Sequence, residues 1–292
     1  ENGSAGWTTG MTATTCMLTD VGRHNIDNLA RYASTIEVTQ NRTVRAKLNR
    51  LGLQLVGDIS WPEHVAIFSI PFMVSHDTRI PLLFFGECPQ DQYGGPPGTE
   101  KAKQLTMRWR SEFGGFLGLR PSDLIGMDCI TERDMRDYLP PSAADLERVG
   151  VEAHFLGQYI PWDSQHNGIV ATNAGMRWQL PCSANYWRTE NLDNAMTGIH
   201  DHGMYRKYGY GRGAAQVSVN VRTGSMTREE AMEWIVEHDG LFPETYMGVP
   251  IVYVLDRIKM TRDELMTTLD RFTNWELFDG VIDSRPILKE FS

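Results

Sequence analysis

The segment that decides the fold runs Ile80-Pro81-Leu82-Leu83-Phe84-Phe85-Gly86-Glu87-Cys88-Pro89-Gln90-Asp91-Gln92-Tyr93-Gly94-Gly95-Pro96. Its first part is apolar without polar alternation, which predicts a strand buried on both faces. Gly86 ends this run, and the following loop carries a carboxylate, amides, a phenol and paired glycines. Ligands of open α/β sheets bind beyond the carboxyl ends of the strands. The segment therefore predicts one wall of a small-molecule site, although an ordinary surface loop would have a similar composition.

Helical and extended patterns alternate on both sides of this strand. Their order is strand, helix, strand, helices, strand, which predicts a parallel α/β domain. Ser60 and Pro62 mark a clear helix start, and Pro71 is expected to kink or end that helix. The predicted strands are 11–17, 34–39, 81–85 and 153–160, and the predicted helices of this part are 20–32, 41–51 and one starting after Ser60.

From about residue 184 the sequence patterns become mainly helical. Helices are predicted at 191–208, 213–222, 227–238 and 261–272. Two of them start with a capping box, in which a threonine is followed three residues later by a glutamate, at Thr227 and at Thr261. We therefore divide the chain into an α/β domain at 1–183 and a C-terminal helical region at 184–292.

Composition limits the classes of function. The chain has 292 residues, 41% apolar residues and a formal net charge of −9, which argues against a nucleic-acid binder because phosphates require a basic surface. No apolar run approaches the roughly 18 residues of a membrane span, and no signal peptide is recognised. The four cysteines are far apart and form no CxxC pair. We expect a reduced cytoplasmic protein that binds neither nucleic acid nor membrane.

Two further segments could contribute to a binding site. Residues 159–163 follow a predicted strand, where Trp162 could stack on a ring and Asp163 could accept hydroxyl hydrogen bonds. A helix cap with a core tryptophan would explain them equally well. The glycine-rich stretch 208–213 follows a helix, so it fails the dinucleotide pattern, but a backbone nest with Arg212 could hold an anion. A tight turn between two helices is the favoured explanation of this stretch.

Two histidine motifs could supply reactive groups. His64, in the first turn of the helix after Ser60, could act as an acid or base, but a partly exposed histidine in a capping box explains it more simply. His200 and His202 flank Asp201, which suggests a metal site. Positions i and i+2 of a helix point to different faces, so a metal site formed by these neighbours is disfavoured.

Taken together, the segments resemble the N-acetyl sugar amidotransferase family, which are PP-loop ATP pyrophosphatases of surface-polysaccharide biosynthesis. The resemblance runs nearly end to end, and its strength lies in the order and spacing of several short motifs. They are TDVG at 19–22 with Asn25, EVTQN at 37–41, WPEH at 61–64, IPL at 80–82, GECPQDQYGGP at 86–96, LGQYIPWDS at 156–164, YGYGRG at 208–213 and MTREEA at 226–231.

This resemblance implies a Rossmann-like parallel sheet of the PP-loop, adenine nucleotide alpha hydrolase-like type. It implies a carbon–nitrogen ligase of lipopolysaccharide and O-antigen biosynthesis that uses ATP and Mg²⁺ and forms AMP and pyrophosphate. The acetamido carbonyl oxygen of a nucleotide-linked sugar would attack the α-phosphate, and ammonia would then displace AMP to leave an acetamidino group. The ammonia would come from a partner glutaminase subunit, often accompanied by a cyclase-like synthase subunit.

The resemblance and the positions of the motifs also assign roles to individual residues. We expect Tyr93, Trp162 and Arg212 to meet in one cleft, because they follow strands or helix ends on the same predicted edge. The expected catalytic residues are Glu87, His64 and Asp163; the expected sugar-binding residues are Gln90, Tyr93, Gly94, Trp162 and Arg212; the expected nucleotide-binding residues are Thr14, Thr15 and Gly86.

One departure from the family is large. The phosphate loop, of the type Ser-Gly-Gly-x-Asp-Ser, is absent, and we expect it upstream of Glu1. Cys88 also stands where the family leads us to expect asparagine. If the loop were truly missing, the chain would be a non-catalytic PP-loop-like binding or scaffold subunit of a glutamine amidotransferase complex. A PP-loop enzyme acting on another amide or on RNA is a third possibility, against which the acidic charge counts.

Overall fold

The computed structural model describes residues 9–86, 115–160 and 163–289. Several residues with predicted roles lie outside these described residues, so their predicted roles stay predictions. They are Glu87, Gln90, Tyr93, Gly94 and Trp162.

The first part of the fold is a β–α–β unit. Strands β1 (Thr9–Thr14) and β2 (Ser34–Thr39) pair in parallel, with Thr14 opposite Thr39 at their carboxyl ends. They are joined through helix α1 (Asp20–Leu29), whose N-terminus is capped by the Thr19 hydroxyl accepting from the Gly22 amide. The predicted strand–helix–strand order is confirmed here, and it places two threonine side chains at one edge of the pair.

Three helices follow the unit. They are α2 (Arg42–Val56), α3 (Trp61–Ile67) and α4 (Ile70–Thr78). Asn41 caps α2, and Gly57 ends it in the left-handed conformation that glycine adopts without a Cβ clash. Pro71 lies in the first turn of α4, where its missing N–H costs no helical hydrogen bond. The prediction that Pro71 kinks or ends the preceding helix is therefore wrong, since α3 already ends at Ile67.

A second parallel pair joins β3 (Leu82–Phe85) and β4 (Glu152–Phe155). Phe85 packs against Phe68 and Phe72 and is buried, whereas Leu82 and Phe84 are 51% and 54% exposed. Burial of β3 on both faces was a wrong prediction, because an apolar run alone does not reveal whether a second layer covers the strand. Short helices α5 (Glu132–Met135) and α6 (Ala143–Val149) precede β4, and α7 (Ser164–Asn173) follows it.

The C-terminal region is mainly helical, as predicted. Both capping boxes are confirmed, with Thr227 and Thr261 each exchanging hydrogen bonds with the glutamate three residues later. The elements are α8 (Thr197–Tyr208), α9 (Arg212–Arg222), α10 (Arg228–His238), β5 (Thr245–Tyr246), β6 (Val249–Pro250), α11 (Ile251–Ile258), α12 (Arg262–Phe272), β7 (Phe278–Ile282) and β8 (Arg285–Leu288).

The architecture is mixed α/β with short sheets. Within the ranges given above, the strands form four two-stranded sheets, of which β1–β2 and β3–β4 are parallel and β5–β6 and β7–β8 are antiparallel. That part of the chain contains no large Rossmann-like sheet. The sequence predicted the alternation of strands and helices. It did not show that the strands pair into separate two-stranded sheets.

The largest cluster of buried apolar side chains joins the two predicted regions. Ala46, Leu53 and Ile59 come from the N-terminal side of residue 183, while Ile199 and Leu265 come from the C-terminal side. These side chains are buried against one another, so the helical region packs on the α/β part through a common core. Within the described part of the chain, none of the helices has the length and apolar character needed to cross a membrane.

Candidate functional site

A polar cluster forms where α8 meets the turn between α2 and α3. Asp58 lies in this turn, and its Oδ1 accepts from the Ser60 amide at 2.8 Å. The same carboxylate contacts two imidazoles, with His200 Nδ1 at 2.7 Å from Oδ1 and His64 Nδ1 at 3.2 Å from Oδ2. The two rings approach edge to face, with centroids 5.2 Å apart. One buried carboxylate therefore brings together histidines from α3 and α8.

Burial and the contacts between the charged groups determine the protonation states of Asp58 and His200. Burial by itself raises the pKa of Asp58, but the adjacent His200 and His64 imidazoles outweigh burial and hold that pKa well below its usual value. Burial likewise opposes protonation of His200, but the Asp58 carboxylate raises the His200 pKa to about 9. The pair is therefore an ionised carboxylate beside an imidazolium at neutral pH.

The next residue of α8, Asp201, belongs to a second polar contact. Arg212 donates from Nη2 and Nε to Asp201 Oδ1 at 2.9 and 3.1 Å, and both side chains are at most one-tenth exposed. Successive helical residues point in different directions, so this ion pair lies on another side of α8 from His200. The predicted phosphate contact of Arg212 stays a prediction, and the structure places its guanidinium on an internal carboxylate.

The glycine-rich stretch before α9 has a structural explanation. The amides of Gly211 and Ala214 donate to the Asp239 carboxylate at 2.7 and 3.2 Å, so an internal anion lies at the helix N-terminus. Gly213 is required by close packing, because a Cβ there would lie 2.2 Å from the Trp234 ring and 2.6 Å from the Ala184 carbonyl oxygen. The motif thus brings Trp234 onto the start of α9.

Trp234 is part of the wall of a cavity of about 540 Å³ between α7, α10 and the segment 183–189. Its ring stacks on His238 at 4.9 Å and meets the Tyr186 ring edge to face at 5.4 Å. Ser164 and Asn185 line the same cavity from the α7 N-terminus and the 183–189 segment. Aromatic faces and polar groups therefore converge on one concave surface.

The two polar residues of the cavity have unused hydrogen-bonding atoms. Ser164 and Asn185 are 5% and 3% exposed. Ser164 Oγ and Asn185 Nδ2 form no hydrogen bond of good geometry with the described residues. The Asn185 amide does lie near Asp201, where burial raises the pKa of the carboxyl to about 7 and the amide partly opposes that rise. Unpaired buried polar atoms are costly, and a ligand in the cavity would supply partners.

Asp163 stands directly before this cavity. Its Oδ1 accepts from the amides of Gln165 and His166 at 2.9 and 3.1 Å, which confirms the predicted helix cap. The Asp163 carboxylate already accepts from two backbone N–H groups. This cap positions the start of α7, whose first residue is Ser164. The catalytic role of Asp163 stays a prediction.

The predicted nucleotide-binding threonines lie at the carboxyl end of β1. Thr14 Oγ1 donates to Glu37 at 2.7 Å, and Thr15 Oγ1 donates to the Asp193 carbonyl at 3.4 Å. Gln40, just beyond β2, is 4% exposed, and both atoms of its amide lack a partner within the described residues. The third predicted residue, Gly86, follows β3 in the other parallel pair, and a Cβ there would meet none of the described residues within 4 Å. The β1–β2 edge, with Thr14, Thr15 and Gln40, offers hydroxyl and amide groups that suit a heterocyclic base.

The structure thus distributes the predicted residues over several places. His64 lies in the Asp58 cluster, Asp163 beside the cavity, Arg212 behind α8 and Thr14 at the β1–β2 edge. Sequence reasoning missed Asp58, Asn185 and Gln40. Only Gln40 had a usable signal, since it lies inside the matched EVTQN motif, whereas the contact between Asp58 and His200 spans 142 positions and leaves no local pattern.

Residues 182–282 match the family model of the C-terminal domain of WbpG-like LPS biosynthesis proteins. The matched part, called the WbpG-like region below, covers 101 of the 292 residues and includes α8 to α12 and most of the cavity wall. The match supports a role in polysaccharide biosynthesis. A search of curated proteins gave no match for the chain.

Proposed function

We propose that this chain is an ATP-dependent amidotransferase of LPS biosynthesis, of the PP-loop type, that converts the acetamido group of a nucleotide-linked sugar to an acetamidino group. The carbonyl oxygen of the acetamido group attacks the α-phosphorus of ATP and pyrophosphate leaves. Ammonia from a partner glutaminase then adds to the activated carbon, and AMP leaves. The observation that carries the proposal is the cavity in the WbpG-like region.

The cavity suits a sugar ring by size and chemistry. Its volume of about 540 Å³ lies in the range of small-molecule sites, about 300–1,000 Å³. Trp234 and Tyr186 offer aromatic faces for the C–H face of a pyranose, and Ser164 and Asn185 offer buried polar atoms for its hydroxyl or acetamido groups. Each such hydrogen bond removes a penalty of about 1–3 kcal/mol for leaving the buried group unpaired.

Arg188 is the cation best placed to contact the phosphates of the sugar nucleotide. It lines the cavity from an exposed position, with its guanidinium 5.8 Å from the centre of the Trp178 ring. Arg212 was the predicted anion contact, but its guanidinium is buried against Asp201. We therefore assign the phosphate contact to Arg188, and keep Trp162 and Asp163, which immediately precede Ser164, as further sugar-facing residues.

ATP fits the proposal at the carboxyl edge of β1–β2. Thr14, Thr15 and the Gln40 amide, which has no partner among the described residues, present donors and acceptors of the kind that an adenine ring uses. ATP would supply the adenylyl group, which converts the acetamido oxygen from a poor leaving group into a good one. Mg²⁺ would neutralise the negative charge of the phosphates. The chain's own residues would orient the base at this edge and hold the sugar in the cavity.

The test measures AMP and pyrophosphate. The natural full-length protein is incubated with ATP, Mg²⁺, ammonium chloride and a panel of UDP-linked acetamido sugars. We expect AMP and pyrophosphate to form in equal amounts, and only when the acceptor carries an acetamido group. Absence of AMP with every acceptor, also with the glutaminase partner present, would contradict the proposal.

The cavity is tested separately by binding. Titration calorimetry with the active UDP-sugar should show that Ser164→Ala and Arg188→Ala each weaken binding by about ten-fold, since each removes one hydrogen bond or charge contact. Arg148→Ala is the matched control, because Arg148 is an exposed arginine of α6 whose contact is Asp145. Equal affinity of all three variants would place the sugar elsewhere.

A non-catalytic binding subunit is the second candidate. It is favoured by two observations, namely that Arg212 is paired with Asp201 and that Asp239 already occupies the amides of the glycine-rich stretch. These contacts leave fewer groups for a leaving pyrophosphate. The same experiments separate the candidates, because a binding subunit would bind the UDP-sugar in the cavity without forming AMP.

A further inference from the structure

The cluster of Asp58, His64 and His200 has no part in the proposed sugar cavity or at the β1–β2 edge. It brings two imidazole nitrogens and a carboxylate to one point, and all three ligand atoms lie within 4.8 Å of one another. The residues come from a turn, from α3 and from α8, so the convergence is a tertiary feature and does not follow from helical spacing.

We propose that Asp58, His64 and His200 form a binding site for a divalent transition-metal ion of the zinc class. Once His200 has released the proton that it shares with Asp58, two imidazoles and one carboxylate form a donor set that suits zinc and its first-row neighbours, whereas Mg²⁺ and Ca²⁺ prefer oxygen ligands throughout. Three protein ligands leave room for a water or another ligand in the fourth position.

Two nitrogen–oxygen distances, each to a different oxygen of the Asp58 carboxylate, can be compared with those of a zinc site. A tetrahedral zinc ion with bonds of about 2.0–2.1 Å separates its ligand atoms by about 3.3 Å. His64 Nδ1 lies 3.2 Å from Asp58 Oδ2, close to that value. His200 Nδ1 lies 2.7 Å from Oδ1, so the ion would have to widen this contact by about 0.6 Å, a rotation within reach of two side chains.

The hydrogen bonding of His64 provides a second observation. His64 Nδ1 is buried, yet it makes no hydrogen bond of good geometry with any residue in the described ranges. Its 3.2 Å approach to the carboxylate is poorly directed for an N–H donor, but a lone pair there can reach an ion held between the two side chains. Binding would give this nitrogen a well-directed bond in place of its poorly directed contact with Asp58.

The surroundings orient the ligands. The Ser60 amide donates to Asp58 Oδ1 and holds the carboxylate in place, which is the role of outer-shell groups in metal sites. Lys207 and Asp201 are the other charged groups near the cluster. The Lys207 ammonium donates to the Val56 carbonyl at 2.7 Å, and the Asp201 carboxylate accepts from Arg212.

The ion would link the two predicted regions. Asp58 and His64 belong to the N-terminal part, and His200 begins the second turn of α8 in the WbpG-like region. An ion bound here replaces the proton that His200 shares with Asp58 and adds bonds across the interface. Because the ion would bind the folded state and not the unfolded one, its binding would raise the free energy of unfolding by mass action. This inference is independent of ATP, Mg²⁺ and the sugar.

The experiment measures metal binding by the purified full chain after treatment with a chelator and dialysis. Titration with Zn²⁺ in the presence of excess Mg²⁺ should give one equivalent bound at micromolar or tighter affinity and a higher melting temperature. Co²⁺ in place of Zn²⁺ should give the visible ligand-field band of a low-symmetry site. Binding displaced by Mg²⁺, or more than one weak equivalent without a change in melting temperature, would overturn the proposal.

Substitutions locate the ion. His64→Gln and His200→Gln should each lower Zn²⁺ affinity by at least ten-fold and weaken the Co²⁺ band. His76→Gln is the matched control, because His76 also lies beside an aspartate, with Nδ1 2.9 Å from Asp77, but belongs to no metal-ligand cluster among the described residues. His64 is 29% exposed, so its variant is expected to fold, which circular dichroism verifies. Zn²⁺ binding that is unchanged in the folded His64→Gln variant would refute the assignment.

Discussion

At the scale of single residues, the environment changes the chemistry that the residue type suggests. Cys182 illustrates this at the start of the WbpG-like region. Its thiol donates to Asn185 Oδ1 at 3.0 Å, and burial raises the pKa of Cys182 to about 11. The thiol is therefore a neutral hydrogen-bond donor that fixes Asn185 in the cavity wall, and it is not a reactive thiolate.

This raised pKa predicts a loss of stability at high pH. The unfolded thiol ionises near pH 8.5, but the folded one keeps its proton to about pH 11, so the folded state binds more protons between these values. Stability then falls as pH rises through this window, by at most about 1.4 kcal/mol per pH unit. Urea unfolding of Cys182→Ser should show a flatter decline than the parent chain.

The exposed Cys129 supplies the control for this measurement. Cys129→Ser should retain the decline of the parent between pH 8.5 and 11, because this substitution leaves the buried Cys182 thiol in place. Parallel curves for the parent and Cys182→Ser would show that the Cys182 thiol does not keep its proton in the folded state.

At the scale of helices and strands, local signals worked where the partners are close in sequence. The capping boxes of α10 and α12 join residues three apart, so the sequence contained all the needed information. The start of α8 was predicted at residue 191, but the helix begins at Thr197. The Ala195 amide instead donates to the Met17 carbonyl, and Leu18 pairs with Asn194. A distant segment thus decides where this helix begins.

The packing of α9 on α10 gives a prediction at this scale. Gly213→Ala places a methyl group 2.2 Å from the Trp234 ring and 2.6 Å from the Ala184 carbonyl oxygen, so ring or backbone must move. We expect a loss of about 1–3 kcal/mol in the free energy of unfolding, measured with urea. Displacement of Trp234 should also change its fluorescence, since this ring lines the cavity.

Gly280→Ala is the corresponding control. Gly280 lies in β7, and a Cβ there would meet no atom within 4 Å. Its substitution should change stability by less than about 0.5 kcal/mol. If both alanine variants had the same stability, close packing would not be the reason for glycine at position 213.

At the scale of the whole molecule, the helical region and the α/β part depend on one core. Leu53 and Ile59 pack in the same cluster as Ile199, Leu265 and Leu269, and all five are essentially buried. Removing any of these neighbours would expose apolar surface, which costs about 25 cal/mol per Å² of the free energy of folding. Residues 182–292 include the stretch that matches the family model. The common core packs this region against the rest of the chain.

We predict that a fragment of residues 182–292 does not fold cooperatively. Without α2 and the Asp58 turn, the apolar face of α8, α11 and α12 is exposed to water. The fragment should bind the dye ANS and lack a near-UV circular dichroism signal, whereas the full chain should show the opposite behaviour. A sharp thermal transition of the isolated fragment with native near-UV signal would contradict this expectation.

The sequence by itself determined the features that depend on neighbours along the chain. These are the alternation of strands and helices up to β3, the caps at Asp163, Thr227 and Thr261, and the helical character after residue 184. Such features follow from hydrogen bonds and side-chain periodicity within a few residues. The resemblance to a sugar-modifying family also came from short local motifs.

Only the tertiary structure decided which groups meet across long distances. It exposed Leu82 and Phe84, joined Arg212 to Asp201, left the Gln40 amide unpartnered among the described residues and brought His200 onto Asp58. The physical reason is that burial and ion pairing depend on which surfaces the shared core presses together. An imidazole and a carboxylate that lie 142 residues apart carry no mark of their contact until the helices have packed.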